Sequence, residues 1–484
     1  MKALGVLGTS SNAGKTWITT ALCAWLRREG VRVAPFKAQN MSNNGWVTPG
    51  GGEMARAQAV QAEACGLEPC VEMNPILLKP SGARGAQLIV LGQALRHQTG
   101  RDYYRDFEAN WKVVRETLDD WRSRCDVLVL EGAGSPVELN LMERDLVNLR
   151  PLRHLDGRWV LVGDIDRGGI YAQLAGTWNL LPPEDRARGL GAIVNRFRGD
   201  ISLFPDPNRW LAPHAPGLPV LGTVPLRPDL QPEEEDGLAA GDEDRGSGVT
   251  IAWIRLPHAA NLTDCQPWWD DDGVRTRWIT DPAQLAGCAA LVLPGTKNTL
   301  ADLRWLRRTG MADALCAAAR RGVPIVGICG GYQLLGQRLL DTEGVAGDVG
   351  DEPGLGLLPV TTRFETPKIV RPVTTECDGR RWTTYEIHMG RTCATAPCEP
   401  LQTVFDGSQA RPEGHRLGRI WGTYQHGWFE VPETRRLLTR EAGIHDHRTP
   451  AYTWMEKRRR VYAAMADHVT AHVDLAAIRL YLGL

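Results

Sequence analysis

The sequence predicts an α/β protein with a parallel-sheet domain over residues 1–227, a second parallel-sheet domain over 249–440 and a helical C-terminal extension over 441–484. Three observations predict it. Short apolar runs recur at the pace of buried parallel strands separated by helices. The stretch 228–248, PDLQPEEEDGLAAGDEDRGSG, breaks that pattern with acid, Gly and Pro and reads as a linker. Beyond residue 441, Val461, Met465, Val469 and Val473 fall at helical spacing around the charged run 457–460, and a helix docked on the preceding domain is expected.

Composition sets outer limits. At 484 residues the chain exceeds a single small module, since a domain averages roughly 150 residues. Hydrophobic residues at 43% and charged residues at 23% exclude global disorder and fibrous repeats. Lys plus Arg total 56 against 57 for Asp plus Glu, so a net charge of −1 gives no general attraction for nucleic acid or an anionic membrane. No run of eighteen apolar residues is present, and no signal peptide or membrane span is expected. The 11 cysteines are scattered without a C-x-x-C pair, which points to a reduced cytoplasmic enzyme.

In the first domain the apolar run Leu4 to Leu7 leads into Gly8-Thr9-Ser10-Ser11-Asn12-Ala13-Gly14-Lys15-Thr16 and a helical pattern over Trp17 to Arg28. Strand, glycine loop and helix in that order form a phosphate-binding loop. Glycines let phosphate approach the backbone, successive N–H groups and the helix N-terminus hold its oxygens, Lys15 adds charge, and the Thr16 hydroxyl can ligate Mg²⁺. Later strands end in polar residues that could face the same ligand. Val31 to Phe36 ends at Lys37, placed to meet a phosphate or substrate carboxylate. Val127 to Leu130 ends at Glu131, Trp159 to Val162 precedes Asp164 and Asp166, Ala192 to Val194 ends at Asn195, and Val220 to Val224 closes the series. For Glu53, Asp164 and Asp166, a helix cap or turn acid is an equal reading.

Five residues separate Gly8 from Gly14 where the standard loop has four. The longer loop resembles the dethiobiotin synthetase branch of P-loop proteins, which couple ATP to carboxylate or carbamate activation. That resemblance implies Mg²⁺ binding by Thr16 and Glu131, with Glu53 in GGEMARAQ as a further candidate ligand, and a base-reading role for Asn195. Gly8, Thr9, Asn12, Gly14, Lys15 and Thr16 would hold ATP.

The second domain opens with apolar runs at Thr250 to Ile254, Ala290 to Leu293 and Pro324 to Ile328. The last continues into G-x-C-x-G at Gly327 to Gly331, the thiol counterpart of a strand-to-helix elbow that exposes a nucleophile. A helix N-terminus there favours the thiolate of Cys329. A base is needed, and His426 follows an aromatic stretch about a hundred residues on, with His388 as its rival. Gly330 and Gly295 offer backbone N–H groups for an oxyanion hole. These residues resemble class I glutamine amidotransferases, which implies a flavodoxin-like sheet and release of ammonia from L-glutamine through a γ-glutamyl thioester. That family carries a Glu two residues after the His. Trp428 stands there in this chain, Glu430 lies four after, and the third member of the triad is left open.

An ATP site and a glutaminase in one chain together imply amidation of a carboxylate. The collinear segments PFKAQNMSNN (35–44), DIDRGG (164–169), VLGTVP (220–225), RLPHAANLTD (255–264), PGTKNT (294–299) and YEIHMGRT (385–392) resemble the adenosylcobyric acid synthase family. The resemblance implies a corrinoid substrate, amidated at the b, d, e and g carboxylates of adenosylcobyrinic acid a,c-diamide, with ATP and Mg²⁺ required and no tightly bound organic cofactor. Lys37, Asn40, Asn43 and Asn44 would line the corrinoid side of the ATP site. Cobyrinic acid a,c-diamide synthase-type amidation is the alternative chemistry, and a P-loop switch ATPase with a degenerate amidotransferase domain is the non-enzymatic one. Neither nucleic acid nor membrane is expected as a partner, and the sequence sets no oligomeric state.

Overall fold

The apolar runs become the interior strands of two parallel sheets. The structure, a computed structural model, describes residues 1–80, 85–232 and 244–484. In the first domain β1 (Lys2–Gly8), β2 (Val33–Phe36), β3 (Val127–Glu131), β4 (Arg158–Asp164), β5 (Gly189–Phe197) and β6 (Val220–Pro225) form one sheet in the order β6-β5-β4-β1-β3-β2. Strands buried on both faces have no reason to alternate polar and apolar residues, which is why each reads as a continuous hydrophobic run. Strand β1 lies between β4 and β3, with Val6 paired to Glu131 and Gly8 to Val162. That register brings the loop after β1 beside the last residue of β3. Helix α1 (Lys15–Arg28) follows the loop directly.

Beside this sheet, Gln39–Met41 pairs with Ile76–Pro80 at the edge of a small four-stranded sheet, and Gly45–Val47 pairs with Glu53–Ala55. These short strands carry the Asn-rich run toward the second domain.

The second domain centres on β7 (Val249–Ile254), β8 (Val274–Ile279), β9 (Ala290–Leu293), β10 (Ile325–Ile328) and β11 (Ile420–Thr423), parallel to one another in the order β8-β7-β9-β10-β11. Helix α2 (Gly330–Leu335) leaves β10 at Cys329. A long antiparallel pair, Val360–Cys377 with Arg380–Ala394, projects beside this sheet. Of the acidic stretch 228–248, residues 233–243 lie outside the described residues, and Arg245–Gly246 already pairs with β8.

The C-terminal helix α3 (Trp454–His472) corrects one expectation. Its apolar face packs on the first domain, and only its first turns reach the domain that precedes it in sequence, through Lys457 with Asp270 at 2.6 Å and Arg458 with Glu430 at 3.4 Å. Tyr462, Met465, Ala466, Val469 and Val473 join Leu4, Val6, Ile18 and Leu22 in one buried cluster. Asp474 N donates to Leu221 O at 2.7 Å, and Tyr481 Oη donates to Ala3 O at 3.0 Å. An apolar stripe shows that a helix face is buried but not which surface buries it; here the face of the β1 sheet around α1 was left for it. Among the described residues no helix is long and apolar enough to cross a membrane.

Candidate active site

Gly14 sits at φ 94° ahead of α1, a left-handed turn that glycine adopts without strain. Lys15 is buried and donates to Ser10 O at 2.8 Å and Gly134 O at 3.1 Å, folding its ammonium over the loop. A Cβ on Gly8 would stand 2.9 Å from the Lys15 side chain, so Gly8 leaves the passage that side chain uses. Thr9 Oγ1 donates to Gln173 Oε1 at 3.0 Å, and Asn12 turns the loop at φ 59°. Thr16 Oγ1 donates to Glu131 Oε1 at 2.8 Å. The same carboxylate is paired with Lys37 Nζ at 3.0 Å and also accepts from Gln61. Hydroxyl, carboxylate and two ammonium groups therefore converge at the carboxyl ends of β1 and β3.

The two lysines border a cavity of about 580 Å³, lined by Ser11, Asn12, Lys15, Lys37 and the run 39–44 on one side, and by Arg255, Leu256, Leu262 and Trp278 of the second domain on the other. Of the Asn-rich run, Asn43 lines the cavity with its Oδ1 buried and without a hydrogen-bond donor among the described residues. Asn40 and Asn44 differ from the expectation of substrate donors. Asn40 Nδ2 donates to Gln58 Oε1 at 2.7 Å and its Oδ1 accepts from Met41 N at 2.7 Å. Asn44 Oδ1 accepts from Asn261 N at 3.0 Å, while Gly45 N donates to Asn261 Oδ1 at 2.9 Å. This reciprocal clasp fastens the two domains together.

Asn195 braces the phosphate loop, its Nδ2 donating to Ala13 O at 3.1 Å. Asp164 is buried and accepts from Asp166 N at 2.9 Å and from Arg196 at 3.3 Å, while Asp166 meets Arg198 at 2.8 Å. Turn and ion-pair roles account for both acids. Glu53 is the clearest correction among the metal candidates. Its two oxygens receive Lys79 at 2.6 Å and Lys368 at 2.5 Å, and those charges hold the buried carboxyl far below the usual carboxylate range despite burial, which opposes it. It belongs to a lysine cluster between the domains, not to the phosphate loop.

Cys329 stands at φ 51°, ψ −107°, the sharp turn between β10 and α2. A Cβ on Gly331 would lie 2.0 Å from Leu293 O, so only glycine allows the helix to start this close to β9. Gly330 opens α2, where first-turn N–H groups have no partner inside the helix, and Gly295 lies against the His426 ring. Cys329 N donates to Thr423 O at 2.7 Å, which ties the elbow to the end of β11 three residues before His426.

His426 is buried, and its Nδ1 lies 2.7 Å from Asp264 Oδ2, whose other oxygen accepts from Gly427 N at 2.8 Å. Burial disfavours the imidazolium, yet the Asp264 charge and hydrogen bond, joined by the neighbouring Cys329, raise His426 to about 10. Asp264 is the residue sequence reasoning missed. It ends the RLPHAANLTD segment and sits on the 3₁₀ helix Leu262–Asp270, 162 residues before its partner. Glu430 is excluded from that role by its pairing with Arg458 at 3.4 Å and Arg56 at 3.8 Å. His388, the rival base, stacks on Tyr424 at 3.6 Å and spends Nδ1 on Gly390 O at 2.8 Å; burial lowers its pKa. Tyr385 stacks on His426 at 5.3 Å and donates to Gly45 O at 3.4 Å, so the first domain also stands behind the histidine.

A buried thiol, an imidazole held by a carboxylate, and helix-start N–H groups can perform nucleophilic acyl transfer. A loop with lysine, threonine and an adjacent carboxylate can hold a nucleotide triphosphate. Comparison with known proteins agrees with both halves. A family model described as a CobQ/CobB/MinD/ParA nucleotide binding domain matches residues 4–239, and one described as a CobB/CobQ-like glutamine amidotransferase domain matches residues 250–434. The chain is 50% identical to a cobyric acid synthase of Roseiflexus castenholzii over 91% of each chain, and 48% identical to one of Chloroflexus aggregans over 90% of this chain and 91% of that one. Over the full length of this chain and 99% of the relative, it is 41% identical to a cobyric acid synthase of Syntrophobacter fumaroxidans. With both domains matched in order and identity sustained along the chain, the protein belongs to the cobyric acid synthase family.

Proposed function

We propose that the protein makes adenosylcobyric acid by amidating the b, d, e and g carboxylates of adenosylcobyrinic acid a,c-diamide, using one glutamine and one ATP per amide. The observation that carries this reading is the buried Cys329, His426 and Asp264 constellation in a chain whose other domain presents Lys15 and Lys37 to a cavity walled by both domains.

In the second domain the Cys329 thiolate attacks the glutamine carboxamide carbon. The oxygen gains negative charge and is met by N–H groups at Gly330 and Gly295. His426, held as imidazolium by Asp264, gives its proton to the departing nitrogen, so ammonia leaves and a γ-glutamyl thioester remains. Water then hydrolyses the thioester to glutamate, with neutral His426 accepting its proton and the thiolate leaving.

In the first domain a substrate carboxylate oxygen attacks the γ-phosphorus of ATP, releasing ADP and forming an acyl phosphate. Lys15 and Lys37 offset the phosphate and carboxylate charges. Ammonia attacks the acyl carbon, phosphate leaves, and the amide is formed. Thr16 Oγ1 and the Glu131 carboxylate are oxygen donors of the hard type that Mg²⁺ takes, and they already meet at 2.8 Å. Bound there with nucleotide, Mg²⁺ would supply charge neutralisation at the phosphates.

Mass spectrometry of the product from the a,c-diamide, glutamine and ATP tests the reading, with four added amides expected. An unchanged a,c-diamide, together with conversion of cobyrinic acid to that diamide, would assign the a and c carboxylates instead.

A further inference from the structure

The cavity that holds Cys329 is bordered by three lysines, Lys79, Lys297 and Lys368, and has a volume of about 50 Å³. Two of them share the carboxylate of Glu53, one on each oxygen. Lys297 has a different partner, the neutral amide oxygen of Gln87 at 2.9 Å. Three amino groups thus face one carboxylate between the docked domains, where charges are costly unless matched. Burial and the two neighbouring ammonium groups push Lys297 well below the ordinary lysine range, and an arriving anion would reverse that.

The position of Lys297 says which anion. It lies two residues beyond Gly295, and its N–H donates to His258 O at 2.9 Å, which continues the pairing of Ala259–Ala260 with Gly295–Thr296. In extended chain, residues two apart face the same side about 6.6 Å apart. Glutamine stretched from carboxamide to α-carboxylate spans ~5 Å, four carbon–carbon bonds. A glutamine whose carboxamide oxygen faces Gly295 therefore brings its α-carboxylate within reach of the Lys297 ammonium.

We propose that Lys297, backed by Lys368, binds the α-carboxylate of glutamine in the thiol cavity. The proposal rests on the glutaminase reading of Cys329. It makes the glutamine site a joint product of the domains, since Glu53, Lys79 and Gln87, which position the two lysines, all come from the first.

The test is steady-state glutamate release by the full chain, with ATP and the corrinoid diamide present, for wild type, Lys297→Met and Lys297→Arg. Hydrolysis of 4-aminobutanamide, which is glutamine without its carboxylate, is measured alongside. Loss of one charge-assisted contact raises the glutamine KM of Lys297→Met by roughly 10- to 100-fold, with kcat changed far less. The arginine variant recovers most of the loss, and the preference for glutamine over 4-aminobutanamide collapses in the methionine variant only. Amidation driven by added ammonia, which bypasses the cavity, reports whether each variant is folded. A methionine variant with wild-type KM and preference, or one that loses rate on both amides in proportion, overturns the proposal. Wild type that releases no glutamate overturns the glutaminase reading, and this one with it.

Discussion

His426 carries a proton near neutral pH because Asp264 stands 2.7 Å from its Nδ1 inside the protein. The folded state holds that proton up to about pH 10, whereas an unfolded histidine releases it near ~6.5. The pair therefore contributes its full stability below pH ~6.5 and loses it as pH climbs toward the folded value. Asp264→Asn removes the charge and leaves the shape. Its stability deficit against wild type is expected to be largest at pH 6 and to shrink toward pH 10, read from denaturant midpoints. Its alkaline limb of glutamate release moves to lower pH, and kcat falls roughly 10²- to 10⁴-fold; an unmoved limb would remove Asp264 from the mechanism. Cys329→Ser separates the two chemistries: glutamine-driven amidation is lost, whereas ammonia-driven product continues at near wild-type rate. Cys329, His426, Lys15, Thr16 and Glu131 were legible in the sequence because each is announced by its immediate neighbours, a glycine turn or a strand end. Asp264 was not, since an orienting carboxylate need only arrive in space. Glu53 misled for the converse reason, as an acid after glycines looks alike whether metal or lysine awaits it.

Elements place these residues by close approach. The Cys329 elbow depends on α2 starting against β9, where Leu293 O stands 2.0 Å from any Cβ at Gly331. A backbone oxygen cannot rotate away as a side chain can, so Gly331→Ala forces the helix start and Cys329 outward. The expected result is loss of glutamate release by at least roughly 10²-fold, the scale on which a misplacement of about 1 Å acts. Ammonia-driven amidation persists, because the phosphate loop lies on another sheet. A variant with intact glutaminase would show that the elbow tolerates movement. Strand positions were legible because buried parallel strands are continuous apolar runs, as β1, β3, β9 and β10 are. The role of the Asn-rich run was less legible. Asn turns serve ligands and turn geometry with the same side chain, and only the meeting of Asn44 with Asn261 shows that part of the run fastens domains.

At the scale of the molecule, the chain ends where it began. Helix α3 and the segment Ala476–Leu482 cover the β1 sheet beside α1, burying Tyr462, Met465, Val469 and Ile478 among Leu4, Ile18 and Leu22. Each large apolar side chain buried this way is worth about 1.5–3 kcal/mol, so the extension contributes a substantial part of the stability of the nucleotide-binding domain. Arg28 with Asp467 and Arg479 with Glu29 at 2.9 Å add exposed ion pairs, each worth about 0–1 kcal/mol, which cannot substitute for that burial. The second domain has its own closed core around Trp253, Trp268 and Trp428, without residues of α3. Removing residues 454–484 is therefore expected to act on one domain selectively. Amide hydrogen exchange should quicken in β1 and α1 and stay slow in β7, β9 and β10. ATP-dependent amidation from added ammonia should fall before the cysteine loses its reactivity toward glutamine. If protection were lost equally in both sheets, the extension would be a clamp on the whole molecule and not the missing face of its first domain.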